Sequence, residues 1–410
     1  MKKIFCFGIL TFYLLMLVSC GPNELRPANP TAPDLPPAGQ AQNEKPIPPT
    51  PEELPVEEET KDAAERLLAQ MSLEEKIYQM IFTTPEALTG VKTVTAAGET
   101  TREALERSPV GGVIYFAANL KNRAQTQQMI ENIQSYSQIP LFIGVDEEGG
   151  TVSRLGRNPK MGVSQMPAMV EIGRTGDAQK AFEVGNTIGN EIKELGFNVD
   201  FAPVADIKTN PNNTEIGSRS FGTDPEMVKN MVAQEVRGLQ ESGVCAALKH
   251  FPGHGSTQAN SHNGYSESTR TLDELRKTEF VPFAAGIQEG VDFVLISHMS
   301  AVNVTQDQIP CSLSKYVITG LLRGELGYQN TVITDSLQMG AITSRYGQKE
   351  AAVMAVEAGA DMLLMPPDVR TACVGVREAV ESGRLSEKRI DESVLRILHI
   401  KQMQGILLED

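Results

Sequence analysis

Short apolar runs ending in polar or small residues alternate with amphipathic segments of helical period along most of this chain. The runs are Gly112–Phe116, Pro140–Asp146, Asn198–Ala202, Val244–Lys249, Phe293–His298, Thr331–Asp335 and Ala360–Leu364. Between them lie helical patterns such as Ala178–Leu195, Pro225–Ser242, Leu272–Gln288 and Glu350–Ala358. Before the first run, Ala63–Gln70 reads as a helix, and Ser72-Leu-Glu-Glu75 is a capping box that opens another. Strands alternating with helices imply parallel strands joined by crossovers. Seven or eight such units across residues 60–410 predict an α/β fold, a (β/α)8 barrel of the TIM type forming one catalytic domain. A doubly wound open sheet is the alternative, but no G-x-G-x-x-G follows the first run. Asp146, Lys249-His250, His298 and Asp335 all end an apolar run on its C-terminal side. In a barrel those ends share one face, where active sites gather.

The densest chemistry lies in Lys249–His262, KHFPGHGSTQANSH, which carries His250, His254 and His262, three of the five histidines. Pro252 and Gly253 forbid regular structure there, so the segment reads as a strand tip leading into a polar loop. Two histidines four apart on a helix could ligate zinc, but Pro252-Gly253 breaks that face, and no metal is expected. GHGST also lacks the order of glycines and lysine that cradles phosphate. Taken locally, Asp335 in Val-Ile-Thr-Asp-Ser-Leu-Gln-Met is equally a strand-tip nucleophile or the N-cap of the next helix.

KHFPGHG followed by Ser261-His262, together with Thr-Asp-Ser-Leu-x-Met around Asp335, resembles glycoside hydrolase family 3, in its β-N-acetylglucosaminidase branch. The resemblance covers about Leu68 to Leu407. It implies a retaining exo-β-N-acetylhexosaminidase that releases terminal N-acetylglucosamine without a cofactor. Asp335 would form the covalent glycosyl intermediate, and His262 would be the acid/base. Asp146 in Val-Asp-Glu-Glu-Gly-Gly, Arg154, Arg219, Lys249 and His250 would hold sugar hydroxyls, with Asp206 behind them, His298 lining the pocket and His399 structural. For Arg154 and Arg219 the plain alternative is an ordinary ion pair. Two positions depart from the resembled pattern. Asn260 stands where the family has an aspartate two residues before the histidine, and Thr151 stands where it has arginine. Asparagine brings no charge to steady an imidazolium, so turnover is expected to be slower unless another carboxylate, such as Glu267, compensates.

Lys2-Lys3, an apolar run from Ile4 to Val18 and Leu-Val-Ser-Cys20 read as a secretory signal. The run is shorter than the roughly 20 residues a spanning helix needs. The Cys20 context resembles a bacterial lipobox, so residues 1–20 are expected to be a lipoprotein signal with lipid on Cys20. Residues 21–59 hold eleven of the 24 prolines and little apolar content, which predicts a flexible tether. The expected location is the bacterial cell envelope, with the membrane reached through the lipid anchor and cell-wall glycans such as peptidoglycan fragments as substrate. A net charge of −15 without a basic stripe argues against a nucleic-acid partner. Cys245, Cys311 and Cys373 remain after Cys6 and Cys20, so no disulfide scaffold is implied, and Cys245 reads as a buried inert thiol. Relatives that cleave glucosides or xylosides take their acid from a second, sandwich domain, for which a chain ending at Asp410 is expected to lack room. A phosphorylase, a β-glucosidase-like hydrolase and a weakened glycan-binding lipoprotein are the other readings.

Overall fold

The computed structural model describes residues 62–257, 266–306 and 308–407. Cys20, the tether 21–59, Asn260 and His262 lie outside the described residues. Eight parallel strands form the barrel: β1 Ile81–Thr83, β2 Gly112–Ile114, β3 Phe142–Val145, β4 Val199–Asp200, β5 Cys245–Phe251, β6 Phe293–Ile296, β7 Thr331–Thr334 and β8 Leu363–Leu364. From β1 to β7 each strand pairs with its neighbour in sequence, and β8 pairs back onto β1. A bridge between Ile333 and Met362 closes the last seam, with helices packed around the sheet.

Seven of these strands coincide with the apolar runs. The eighth, β1, is only three residues long and sits between a helix end and Pro85, too brief for periodicity to mark. Strand β5 runs on through Lys249 and His250 to Phe251 rather than stopping before them. The expected helix Leu272–Gln288 is two helices, Leu272–Lys277 and Phe280–Gln288, broken at Thr278. Pro282 falls in the first turn of the second helix, where a missing N–H costs nothing.

Aromatic rings fill the barrel interior. Phe82 meets Phe201 edge-on at 5.3 Å, and Phe142 meets Phe293 edge-on at 5.1 Å between centroids. Gly144 makes room for this packing, since a Cβ there would lie 2.8 Å from both Phe82 and Phe201. At the β7–β8 seam the buried Asp361 carboxylate accepts from the Val332 N–H at 2.9 Å, Ser393 Oγ at 2.8 Å and Arg396 Nη1 at 3.1 Å. That knot ties the C-terminal helix Glu387–Met403 across the closing strands. Among the described residues no helix is long and apolar enough to cross a membrane.

Candidate active site

The C-terminal rim of the barrel carries a cleft of about 310 Å³, whose walls include Asp146, Glu148, Arg154, Glu215, Arg219, Lys249, His250 and Asp335. Every described residue expected to bind sugar therefore meets Asp335 in one concavity.

The run Asp-Glu-Glu-Gly-Gly builds one side. Glu147 points away from the cleft and organises the turn after β3. Its buried carboxylate accepts the N–H groups of Arg154 at 2.7 Å, Leu155 at 2.8 Å and Gly156 at 3.0 Å, and the Ser153 hydroxyl. Gly149 and Gly150 take positive φ (83° and 57°), and a Cβ on Gly150 would lie 2.7 Å from the Ala168 backbone. This turn sets Asp146 and Glu148 toward the cations opposite.

Lys249 Nζ reaches Asp146 at 3.0 Å and Glu148 at 2.5 Å, and Arg154 Nη2 donates to Asp146 at 3.2 Å. Arg219 forks onto Glu148 with two bonds of 2.8 Å. Burial alone would raise both carboxyls, but Lys249 and Arg154 at Asp146, and Arg219 and Lys249 at Glu148, outweigh it and hold both below the ordinary range. Burial likewise works against the Lys249 charge, yet Glu148 and Asp146 keep the ammonium above its usual value. The pairs of Glu148 with Arg219 and Lys249 are desolvated, not ordinary surface ones, whereas the Arg154–Asp146 pair stays partly exposed.

His250 lies between two fixed partners. Its Nδ1 sits 2.6 Å from Asp206 Oδ2, and its Nε2 faces Arg219 Nη2 at 3.4 Å. The guanidinium can only donate, so Nε2 holds the lone pair and Nδ1 carries the proton toward Asp206. Asp206 also accepts the His250 N–H at 3.2 Å and the His254 N–H at 2.6 Å, fixing the start of the KHFPGHG loop. It is the buttress the sequence suggested.

Asp335 follows β7, its N–H donating to Ile296 O at 2.9 Å and its Oδ1 accepting from Ser336 N at 2.7 Å. The next helix begins only at Gly340, after Met339, with no side-chain cap, which removes the N-cap reading of Asp335. His298 is not pocket lining. It is 1% exposed, and its Nε2 holds the Ser336 carbonyl at 2.8 Å while Nδ1 meets Ser312 Oγ at 2.7 Å. Because a carbonyl only accepts, Nε2 is the protonated nitrogen, and the ring braces the turn that bears Asp335. His399 bonds Asp62 at 2.9 Å on the C-terminal helix, a structural position. Glu267 is exposed on a two-residue strand, Glu267–Ser268, and its expected compensating role concerns Asn260 and His262, which lie outside the described residues.

Several groups had no signal in the sequence. Glu148 reads as one of two adjacent acids, and only the fold tells it from Glu147. Glu215 lines the cleft from the segment before the turn Gly217–Arg219, its Oε2 lying 3.8 Å from His254 Nε2. Below the rim, Asp200 and Glu235 are buried acids, pushed well above the carboxylate range by burial and by repulsion from neighbouring carboxylates. Among the described residues no group of three or more His, Cys, Asp and Glu is arranged to hold a metal ion. Cys245, Cys311 and Cys373 are buried thiols.

Residues 72–400 match the profile of the family described as "Glycosyl hydrolase family 3 N terminal domain". Beta-hexosaminidase A of Pseudoalteromonas piscicida is 33% identical over 327 residues, 73% of this chain and 54% of that protein. Beta-hexosaminidase LpqI of Mycobacterium tuberculosis is 36% identical over 271 residues, 64% of this chain and 68% of its own length. Among solved structures, a family 3 β-N-acetylglucosaminidase from Paenibacillus sp. str. FPU-7 superimposes with a TM-score of 0.77 at 40% identity, covering 82% of this chain and 63% of that one. The chain thus spans about half to two thirds of the length of these relatives.

Proposed function

Because the chain belongs to glycosyl hydrolase family 3, we propose that its cleft hydrolyses terminal β-linked N-acetylglucosamine with retention of configuration. The relatives named as beta-hexosaminidases and as a β-N-acetylglucosaminidase support this substrate class. The observation that carries the mechanism is the convergence of Asp335 with Lys249, Arg219 and His250 in one cleft. Charged groups already locked in pairs present fixed donors and acceptors to a sugar's hydroxyls, and their low mobility orients the ring. Asp335, on the opposite wall, attacks the anomeric carbon and forms the glycosyl ester. His298 keeps that carboxylate aimed through the Ser336 carbonyl.

Departure of the aglycone also needs a proton donor. The resemblance gives that part to His262, preceded by Asn260, both outside the described residues. An exported lipoprotein anchored through Cys20 would meet cell-wall glycans, making peptidoglycan fragments the natural substrate class.

Two measurements test the reading. Aryl β-N-acetylglucosaminide should be cleaved in preference to aryl β-glucoside, at a rate independent of phosphate. A 2-acetamido fluoro-sugar inactivator should add its mass to the peptide containing Asp335. Preference for the glucoside overturns the substrate, and a label on another residue overturns the mechanism.

A further inference from the structure

Asp146 and Glu148 hold the cleft's cations, but the peptide between them is anchored from outside the cleft. The Glu147 N–H donates to Asp200 Oδ1 at 2.9 Å. Asp200 ends β4, where it pairs with Val145 of β3 and Ala246 of β5. Side chains alternate along a strand, and the next residue, Phe201, packs on Phe82 inside the barrel. Asp200 therefore projects from the outer face of the sheet, on the side where the helix Pro225–Glu241 carries the chain from β4 to β5. Asp200 is fully buried, and so is Glu235 of that helix. Asp200 Oδ2 and Glu235 Oε2 are shut off from solvent and have no hydrogen-bond partner among the described residues. A carboxylate with a bare buried oxygen does not keep its charge. Burial pushes Asp200 well above the ordinary range against the pull of the Glu147 N–H, and burial and then Asp200 push Glu235 the same way. Asp200 is thus a neutral carboxyl that works through one oxygen, as a backbone acceptor.

The Glu147 carboxylate ties down the far side of the turn, at the N–H groups of Arg154, Leu155 and Gly156. Only the Asp200 bond sits between the two cleft acids themselves. A shift of the Glu147 peptide moves Asp146 off Arg154 and Lys249, and Glu148 off Arg219 and Lys249, in one motion. Asp335 stands three strands away on β7 and has its own brace, His298 on the Ser336 carbonyl. Resting on the hydrolase reading above, we propose that Asp200 is a positioning residue for sugar binding, holding the Glu147 N–H so that Asp146 and Glu148 stay set against Lys249, Arg154 and Arg219.

The test uses the purified chain with Asp200→Ala, which removes the acceptor, and Asp200→Asn, which keeps it without a charge. Aryl β-N-acetylglucosaminide kinetics are taken per active site, counted by labelling with the 2-acetamido fluoro-sugar, so that unfolded molecules drop out. In Asp200→Ala, KM should rise by about tenfold while kcat stays within about threefold, because the lost contact holds the sugar and Asp335 keeps its brace. Isothermal titration with N-acetylglucosamine should show affinity falling by the factor by which KM rises. Asp200→Asn should rescue both to within about threefold of wild type. A merely structural role lowers Tm in Asp200→Ala and leaves KM per active site unchanged, which overturns the proposal. A loss in Asp200→Asn as large as that in Asp200→Ala overturns it too, as does a fall in kcat at constant KM. Should Asp200→Ala not fold, Asp200→Glu, which keeps the carboxyl and shifts it by one methylene, is read by the same criteria. If wild type cleaves no aryl N-acetylglucosaminide, the hydrolase reading falls and this assignment falls with it. If wild type is active and labelled on Asp335, a negative result at position 200 overturns this assignment alone.

Discussion

Replacing Glu148 by Gln probes the charge cluster most directly. In the wild type three cations (Arg154, Arg219, Lys249) face two carboxylates (Asp146, Glu148), and Glu148→Gln leaves three facing one. The Glu148 side chain is 2% exposed, so water cannot make good the loss. Its amide could still accept one bond through Oε1, but its NH₂ would confront donors on Arg219 or Lys249. Removing one partner of a buried pair costs roughly 3–5 kcal/mol, because the other charge stays buried. At about 2.1 cal/mol/K per residue, unfolding some 350 residues releases roughly 0.7 kcal/mol/K, so Tm should drop by about 4–7 °C. The sign with pH follows from the depressed carboxyl of Glu148. A lowered folded value stabilises above the unfolded value near 4.3, and that contribution fades as pH falls toward the folded value. The gap between wild type and Glu148→Gln should therefore be full at pH 7 and shrink below about pH 4. Calorimetry across pH reads both quantities, and substrate kinetics should show KM rising more than kcat falls as Lys249 and Arg219 lose their brace. A Tm drop under about 1 °C at pH 7, or a gap that widens on acidification, refutes the reasoning.

Three further substitutions read other parts of the molecule. Asp335→Asn keeps the bond from Ser336 N–H, so Tm should hold while turnover falls by about 10⁴ or more, and retention of a tenth of the activity would remove Asp335 as nucleophile. Asp292, buried beside the Ala246 N–H and Gln404, is pushed up to about 6 by burial. A raised folded value stabilises most below the unfolded value, so stability should decline between pH 4 and 6 by on the order of 3 kcal/mol. In Asp292→Asn that decline should be missing from a pH series of urea melts, and an unchanged slope counts against it. Lys401, with its Nζ 2.9 Å from Gln79 Oε1 and 5.0 Å from the Phe142 ring centroid, is pushed down to about 7 by burial. Its charge costs most at pH 7 and below, so Lys401→Met should raise Tm at pH 6–7, with the difference closing toward pH 10; a lower Tm at pH 7 contradicts this.

Much of this was legible in residue order. Apolar runs alternating with helical segments predicted the barrel, because both periods are local properties of the chain. Polar residues closing those runs located the working rim, because strand direction puts all such ends on one side. Asp146, Arg154, Arg219, Lys249, His250 and Asp335 do line one cleft. Asp206 does stand behind His250. What order along the chain could not settle were relations across it. Glu147 and Glu148 are adjacent and identical, yet one is folded under a turn and the other grips Arg219, 71 residues away. His298 ends a run just as Lys249 does, but packing turns it from the cleft onto the Ser336 carbonyl. Asp335 resembled a helix cap until the helix proved to start five residues later. Glu215, in a segment with no apolar rhythm, enters the cleft only because barrel closure brings it beside His254. Side-chain period is written into the chain; which charges meet, and how far water is excluded from them, is decided by closing eight strands into one ring.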